Sequence, residues 1–250
     1  REIQCLKMLY PTLFREIQEE DKIAGRLDFL PIGFGCVTSV GGVGHYCVFN
    51  KLKALESELE SAEEKKELRD LKTLYCKDAL TKDTIGAFID CESPLIATAR
   101  LSGMMLNYQK LMDLGIGGLR RKLLDKLKEE PDSSFCQASI QALDLFVICA
   151  EHLQDMVALH KPSAQFQRRA ELEMIWQSLE HIKREKPTGF HQALQLFWLY
   201  ALLAGVINYG RLDDVLGPFL KHDLDHNIIT EEEAVGYLKS LWTMIENRRT

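Results

Sequence analysis

The sequence lacks the features of secreted and membrane proteins. No signal peptide opens the chain, and the apolar run 196–207 is too short, and too closely preceded by polar residues, to span a bilayer comfortably. Seven cysteines are scattered without a Cys-x-x-Cys pair, and their odd number argues against a disulfide framework. These absences predict a cytoplasmic protein with reduced thiols and no membrane partner.

An excess of basic charge is also missing. The formal net charge is −6, which argues against a nucleic-acid partner. Basic residues cluster at 120–122 and 168–169, but each cluster lies among acidic residues, as is typical of solvated helix faces. The first residue is Arg1 rather than Met, so we expect the chain to be a piece of a longer protein.

The sequence contains no complete nucleotide or metal motif. Two Gly-rich strings within 33–47 lack the third glycine of a dinucleotide fingerprint, and no Lys-Ser or Lys-Thr pair follows them. The Asp-rich string 223–227 lacks the glycine and the final glutamate of a calcium loop. His222 and His226 are four residues apart and could share a helix face as metal ligands, but we favour a solvated connector before the next helix. The prediction is that the chain binds no metal.

What is present is a mostly helical pattern. Apolar residues recur at helical spacing over 1–20, whereas 21–50 is Gly-rich and predicts loop with short strands. Residues 49–80 are highly charged around a narrow apolar stripe, which predicts a helical hairpin or one exposed helix. The glycines of 115–118 should break or kink the next helix unless another backbone packs closely there.

The central stretch, 187–242, contains the most apolar helix and a strong helix start. Nearly every residue of 196–203 is apolar, so this helix has no wet face and should lie in the middle of a large protein. We expect it to need covering from segments outside this chain, and the isolated chain therefore to associate. Thr230 and Glu233 have the spacing of a capping box and predict the start of a further helix.

Several strings of this stretch are similar to one enzyme family. They are Pro187-x-x-Phe190-x-x-Ala193-Leu194-Gln195-x-x-Trp198, Gly210-Arg211-x-Asp213, Pro218-Phe219, Asp223, Ile229-Thr230-x-Glu232-Glu233-Ala234 and Leu241-Trp242. Earlier segments, 21–26 and 102–119, agree with them. The chain resembles the N-terminal part of a glycyl radical enzyme, of the pyruvate formate-lyase and dehydratase-like family.

The resemblance implies a fold and a chemistry. The fold class is mostly α, the helical N-terminal portion of a ten-stranded α/β barrel, with 1–250 as one incomplete domain. In this family a glycyl radical generates a cysteine thiyl radical that cleaves a C–C, C–O or C–N bond of a small metabolite. An activating enzyme with an iron–sulfur cluster and S-adenosylmethionine installs the radical. Expected partners are the remainder of the barrel or a complementary chain, this activating enzyme, the small-molecule substrate and further copies in a homo-oligomer.

The sequence departs from the family pattern at the radical residues. No Arg-Val-x-Gly-Tyr string is present, and no cysteine occupies the thiyl motif, so we assign no catalytic residue and no directly bound cofactor to this chain. Met104 follows Gly103 where many dehydratase-like members have a substrate-contacting histidine. This difference weakens a polyol-dehydratase interpretation.

The candidate substrate-binding residues are Asn208, Arg211 and Asp213. They directly follow the apolar helix, and the Gly-Arg-x-Asp string among them matches the family, so we predict that they line an interior cavity. Arginine binds anions in a bidentate manner, and Asp213 would orient it. The alternatives are an Arg211–Asp213 ion pair that fixes the turn, and Asn208 as a helix cap.

Three functions follow for the chain. The first is part of a formate acetyltransferase-type lyase or a dehydratase relative, inactive alone. The second is a non-catalytic helical binding or scaffold protein that kept the fold. The third is one subunit of a split enzyme.

Overall fold

The computed structural model describes residues 2–27, 54–78, 106–206 and 208–247. These residues fall into two compact units, of which the smaller contains 54–78 and the larger contains the other three ranges. Within these ranges every regular element is a helix, so the predicted mostly helical fold class is confirmed. Most of the predicted Gly-rich loop, from 28 to 50, lies outside the described residues.

The larger unit has seven helices among its described residues, and the smaller has one long helix. They are α1 (Glu2–Leu13), α2 (Ala62–Asp78, the smaller unit), α3 (Tyr108–Glu129), α4 (Ser134–His160), α5 (Phe166–Ile182), α6 (Phe190–Ala204), α7 (Leu212–Asp225) and α8 (Glu231–Glu246).

The smaller unit contains a short helical segment, 54–58, before α2. The Glu56 carboxylate of that segment accepts hydrogen bonds from Arg69 and Lys72 of α2, both at 2.7 Å. These bonds hold the pKa of Glu56 down at about 2. Side chains of the two helical segments therefore meet across the turn, which agrees with the helical-hairpin alternative.

Helix α6 forms the centre of the larger unit. Its side chains are buried on all sides, and Leu196, Phe197 and Trp198 have no exposed surface. It packs against α4, α5 and α7 of the same chain, and the Tyr10 hydroxyl donates to its Leu202 carbonyl at 3.1 Å. The central position is as predicted, but the expectation that α6 needs covering from outside the chain is wrong, because the chain's own helices bury it.

The glycines of α3 act in the two ways that the sequence left open. Gly115 has φ 62°, a left-handed conformation that interrupts the helix at this residue. Gly117 is helical, and a Cβ atom there would lie 1.9 Å from the Arg184 carbonyl oxygen. The first glycine therefore kinks the helix, and the second admits the neighbouring backbone.

The predicted helix over 1–20 ends earlier, at Leu13. Residues 14–18 lie outside the helix, and the Arg15 amide donates to the Arg26 carbonyl at 2.9 Å. The Gln18 amide donates to the Asp21 carboxylate at 2.9 Å. The apolar spacing continues past Leu13, but these contacts with the following segment bind the backbone in a different conformation.

The predicted capping box at the start of α8 is confirmed. The Glu233 amide donates to the Thr230 hydroxyl at 3.2 Å, and the Thr230 amide donates to the Glu233 carboxylate at 2.8 Å. Throughout the described ranges, we find no helix with the length and apolarity needed to cross a membrane.

Candidate functional site

The corner between α6 and α7 carries the three predicted substrate-binding residues. Arg211 donates to both carboxylate oxygens of Asp213, from Nε at 2.8 Å and from a terminal nitrogen at 2.6 Å. This bidentate bond holds the pKa of Asp213 down at about 2. The Asn208 side-chain oxygen accepts from the Gly210 amide at 3.1 Å, which shapes the turn locally. Arg211 and Asp213 are thus paired with each other, and Asn208 binds its own loop.

The corner is not deep within this chain. The side chains of Arg211 and Asp213 are 71% and 66% exposed, and Asn208 is half-buried. The expectation of a buried Arg211–Asp213 ion pair is therefore wrong for this chain, whereas the prediction that the corner faces the interior cavity of the complete enzyme stays a prediction. Helix α6 ends at Gly205, whose φ of 70° turns the backbone. Gly210, Arg211 and Asp213 are exposed, so the depth of α6 does not extend to the corner.

Asp21 is the most buried acidic group in a network that the sequence did not reveal. Its carboxylate is inaccessible to solvent and accepts from the Arg26 guanidinium at 3.0 Å. Arg168 of α5, itself buried, donates to the Asp21 carbonyl at 2.8 Å and to the Gln18 carbonyl at 2.7 Å. These charge-assisted bonds fix the loop 18–26 on α5.

The same loop is bound to α6 by Gln195 and Trp198. The Gln195 amide group accepts from the Ala24 backbone N–H at 2.7 Å and donates to the Ala24 carbonyl at 3.0 Å. The Trp198 indole N–H donates to the Gly25 carbonyl at 2.9 Å. Gly25 has φ 112°, and a Cβ atom there would approach the indole ring to 3.0 Å. The loop that contains Ala24 and Gly25 and the helix that contains Gln195 and Trp198 each carry part of the family resemblance, and they are therefore in direct contact.

His191 of α6 joins α5 to this loop. Its Nε2 atom donates to the Lys22 carbonyl at 2.7 Å, and its Nδ1 atom then accepts from the Ser178 hydroxyl at 2.7 Å. Burial lowers the pKa of His191 to about 4. The imidazole is therefore neutral at physiological pH and serves as a hydrogen-bonded crosslink.

An open cleft of about 700 Å³ lies between α5 and α8, and His191 is at its wall. Lys22 and Glu171 form an ion pair on one side of the cleft, while Thr230 and Glu233 border another. Polar and apolar groups alternate along this cleft, and the sequence interpretation did not include it.

The two cysteines whose side chains the structure describes are not placed to act as nucleophiles. Cys136 and Cys149 are buried and form no disulfide. Burial raises the pKa of the Cys149 thiol to about 12, so the thiolate nucleophile is not formed at neutral pH. Over the ranges the structure covers, we find no cluster of three or more His, Cys, Asp or Glu side chains that could hold a metal ion.

A buried apolar helix is thus surrounded by helices and tied to an N-terminal loop by a polar network. The sequence matches the family profile described as "Pyruvate formate lyase-like" over residues 1–250. The chain belongs to this family, which is that of the glycyl radical enzymes.

Curated relatives include dehydratases and lyases. The chain is 24% identical over 212 residues to a probable dehydratase, YbiW, of Escherichia coli (strain K12), covering 73% of this chain and 26% of that protein. It is 25% identical over 153 residues to isethionate sulfite-lyase of Bilophila wadsworthia (strain 3_1_6), covering 54% of this chain and 18% of that protein. The chain thus spans about a quarter or less of the length of these relatives.

Solved structures agree on the fold. A glycyl radical enzyme from Archaeoglobus fulgidus superposes with a TM-score of 0.68 at 23% identity, over 99% of this chain and 35% of that one. A structure concerning 1,2-propanediol dehydration in Roseburia inulinivorans gives a TM-score of 0.69 at 16% identity, over 100% of this chain and 35% of that one. The described helices therefore correspond to about a third of such an enzyme.

Proposed function

We propose that this chain is the helical portion of a glycyl radical dehydratase or lyase that cleaves a C–C, C–O or C–N bond of a small metabolite. The proposal rests on how much of this chain, and how much of a complete glycyl radical enzyme, the matches include. The family match includes all 250 residues, whereas the superposed glycyl radical enzyme is covered only to 35%. The curated relatives are a probable dehydratase and a sulfite-lyase, which favours a dehydratase or lyase over a formate acetyltransferase.

The role of this chain in the proposal is binding and shape, since it carries no radical residue. The glycyl radical, installed by an activating enzyme that uses an iron–sulfur cluster and S-adenosylmethionine, would supply hydrogen abstraction from another part of the enzyme. Helix α6 and the loop 18–26 form a rigid support, because Gln195 and Trp198 hold the loop backbone through three hydrogen bonds. We infer that the remainder of the barrel docks on this support, in a homo-oligomer.

The substrate-binding role of Asn208, Arg211 and Asp213 is kept as part of the proposal in a changed form. Their exposure means that the corner becomes a pocket wall only when another segment of the enzyme covers it. The Arg211–Asp213 pair is exposed and already formed, and it can then bind a polar substrate or a polar group of the covering segment. The corner leads into the N-terminus of α7, and the acidic residues in the first turn of α7 suit the positive N-terminal end of the helix.

The test is reconstitution under anaerobic conditions. The chain is incubated with an activating enzyme, with and without the complementary C-terminal part of a family relative, and electron paramagnetic resonance is recorded. We expect no glycyl doublet from this chain alone, and a doublet with turnover of a dehydratase or lyase substrate when the complementary part is bound. A doublet from this chain alone would overturn the assignment of its role.

The non-catalytic scaffold and the split-enzyme subunit are outcomes of the same experiment. Failure of the complementary part to bind at all, with the chain folded by circular dichroism, would favour a scaffold that kept the fold. Binding of a separately encoded complementary chain from the same source, with recovery of the doublet, would instead identify a split enzyme.

A further inference from the structure

Two imidazole rings stack at the C-terminal end of α7. The ring centroids of His222 and His226 are 4.4 Å apart, with an angle of 28° between the ring planes. Both side chains belong to exposed residues. The sequence alone favoured a solvated connector here, but the hydrogen bonds of the two rings lead to a different inference.

The Nδ1 atom of each ring forms a hydrogen bond with an oxygen acceptor. His222 Nδ1 lies 3.0 Å from the Asp223 carboxylate, and His226 Nδ1 lies 2.8 Å from the His222 carbonyl oxygen. Carboxylates and carbonyls only accept hydrogen bonds, so each Nδ1 carries the proton in the neutral ring. The lone pair of each neutral ring is then on Nε2, and no hydrogen bond among the described residues uses the Nε2 atom of either ring.

The Nδ1 bonds of both rings are of the kind that support metal-ligating histidines. Such a histidine typically donates its other ring N–H to a carboxylate or a backbone carbonyl, which fixes the tautomer and the ring orientation. His222 uses the carboxylate form of this support and His226 uses the carbonyl form. A spacing of four residues places both rings on one face of the helix.

The surroundings also favour a cation. The rings lie in the last turn of α7 and at its C-cap, where the helix end is negative. Two carboxylates, of Asp223 and Asp225, lie in the same turn, and the ammonium group of Lys221 is paired with Asp225 at 2.6 Å.

We propose that His222 and His226 form a binding site for one divalent transition-metal ion, with Asp223 as the outer-shell partner. Imidazole nitrogen suits Zn²⁺, Ni²⁺ and Cu²⁺ rather than Mg²⁺ or Ca²⁺. Two protein ligands leave the other coordination positions to water. A bound ion would fix the connection from His222 through the Asp223 carboxylate to the Phe190 amide, which is 2.7 Å from that carboxylate. The site is therefore structural, and it does not depend on the proposed enzymatic function.

The test is titration of the tag-free chain with Ni²⁺, which does not oxidise thiols. Isothermal titration calorimetry compares the parent with His226→Ala and His222→Ala. We expect each variant to lose one equivalent of bound Ni²⁺ or to bind it about tenfold or more weakly, since even outer-shell changes cost that much. Cysteine thiols are the same in all three proteins, so the difference isolates the histidine pair.

His160→Ala is the matched control. His160 Nδ1 bonds the Met156 carbonyl at 2.9 Å, as His226 bonds the carbonyl of residue 222, but the residue four positions before His160 is Met156 rather than histidine. This variant should titrate as the parent does, and circular dichroism checks that every variant folds.

A second measurement locates the ion. Diethyl pyrocarbonate labelling with mass spectrometry should show that Ni²⁺ protects His222 and His226 and leaves His160 reactive. Ni²⁺ should also raise the melting temperature of the parent but not of His226→Ala, because only a ligand of the folded state stabilises it. Unchanged Ni²⁺ binding in both histidine variants, or unprotected rings, would overturn the proposal.

Discussion

The carboxylate of Asp223 caps the N-terminus of α6 by accepting a hydrogen bond from the Phe190 amide at 2.7 Å. Asp223 is on α7 and only 3% of it is exposed, so one buried side chain joins the end of one helix to the start of the central helix. Gly189 makes this approach possible, because a Cβ atom there would lie 2.9 Å from the same carboxylate. An anionic group at a helix N-terminus also suits the helix dipole.

Asp223→Ala should lower the free energy of unfolding by about 1–3 kcal/mol, because it leaves the buried Phe190 amide without an acceptor. Urea denaturation followed by circular dichroism measures the effect. Asp225→Ala is the control, since Asp225 is exposed and bonds only Lys221 among the described contacts. An equal loss in the two variants would show that the cap contributes nothing specific.

Glycines in two helices should respond to alanine in opposite directions. Gly117→Ala should cost about 1–3 kcal/mol of unfolding free energy, because its Cβ would lie 1.9 Å from the Arg184 carbonyl oxygen. Gly236→Ala, with nothing within 4 Å of the new Cβ, should stabilise α8 by about 0.5–1 kcal/mol through helix propensity. Thermal and urea unfolding of both variants check the pair, and a stabilising Gly117→Ala would contradict the close packing.

His191 should make stability depend on pH. Its pKa is about 4 in the folded chain and near 6.5 when unfolded, so the unfolded chain binds more protons between these values. Stability is therefore full above pH 6.5 and falls as the pH decreases toward 4, by up to about 1.4 kcal/mol per pH unit. Urea denaturation at about pH 7 and about pH 5 measures this.

The matched variant is His191→Gln, which removes the titrating group and should reduce that pH dependence while also lowering stability at neutral pH. If His191→Gln kept the full loss between the two pH values, other groups would be responsible.

Asn208→Ala separates a pocket role from a capping role. In the complete enzyme, a pocket role predicts a raised KM or a lowered kcat with thermal stability nearly unchanged. A cap predicts a loss of about 1 kcal/mol of stability with kinetics intact. The N-cap residue of α7 is Arg211, and the Asn208 side chain bonds only the Gly210 amide among the described contacts, so Asn208 caps no described helix and we expect the first result.

Asp214→Ala is the control for this corner. Asp214 lies 3.5 Å from Arg211 but has no predicted contact with substrate, so its removal should leave KM unchanged. Loss of activity in this variant equal to that of Asn208→Ala would mean that the corner acts through its overall charge or shape.

Local patterns in the sequence determined which segments are helical and how one of them begins. The capping box of Thr230 and Glu233 forms as expected, because both partners lie within one helical turn. The apolar run after Gln195 predicted a central helix, since a helix without a polar face is stable only when buried. The family resemblance was also readable from the sequence, and it is confirmed over all 250 residues.

Tertiary structure alone decided what covers α6, where the corner lies and which polar groups are buried. The chain's own helices cover α6, which periodicity cannot show because it gives the buried face of a helix but not its neighbours. Arg211 is exposed because Gly205 ends α6 in a left-handed turn. Asp223 is buried because a partner distant in the sequence, the Phe190 amide, meets its carboxylate after folding. Asp21 is buried with Arg26 bound to its carboxylate, at a place where the distant Arg168 holds the same loop through the Asp21 carbonyl. Burial of a charge depends on such partners, and the spacing of residues along the chain does not reveal them.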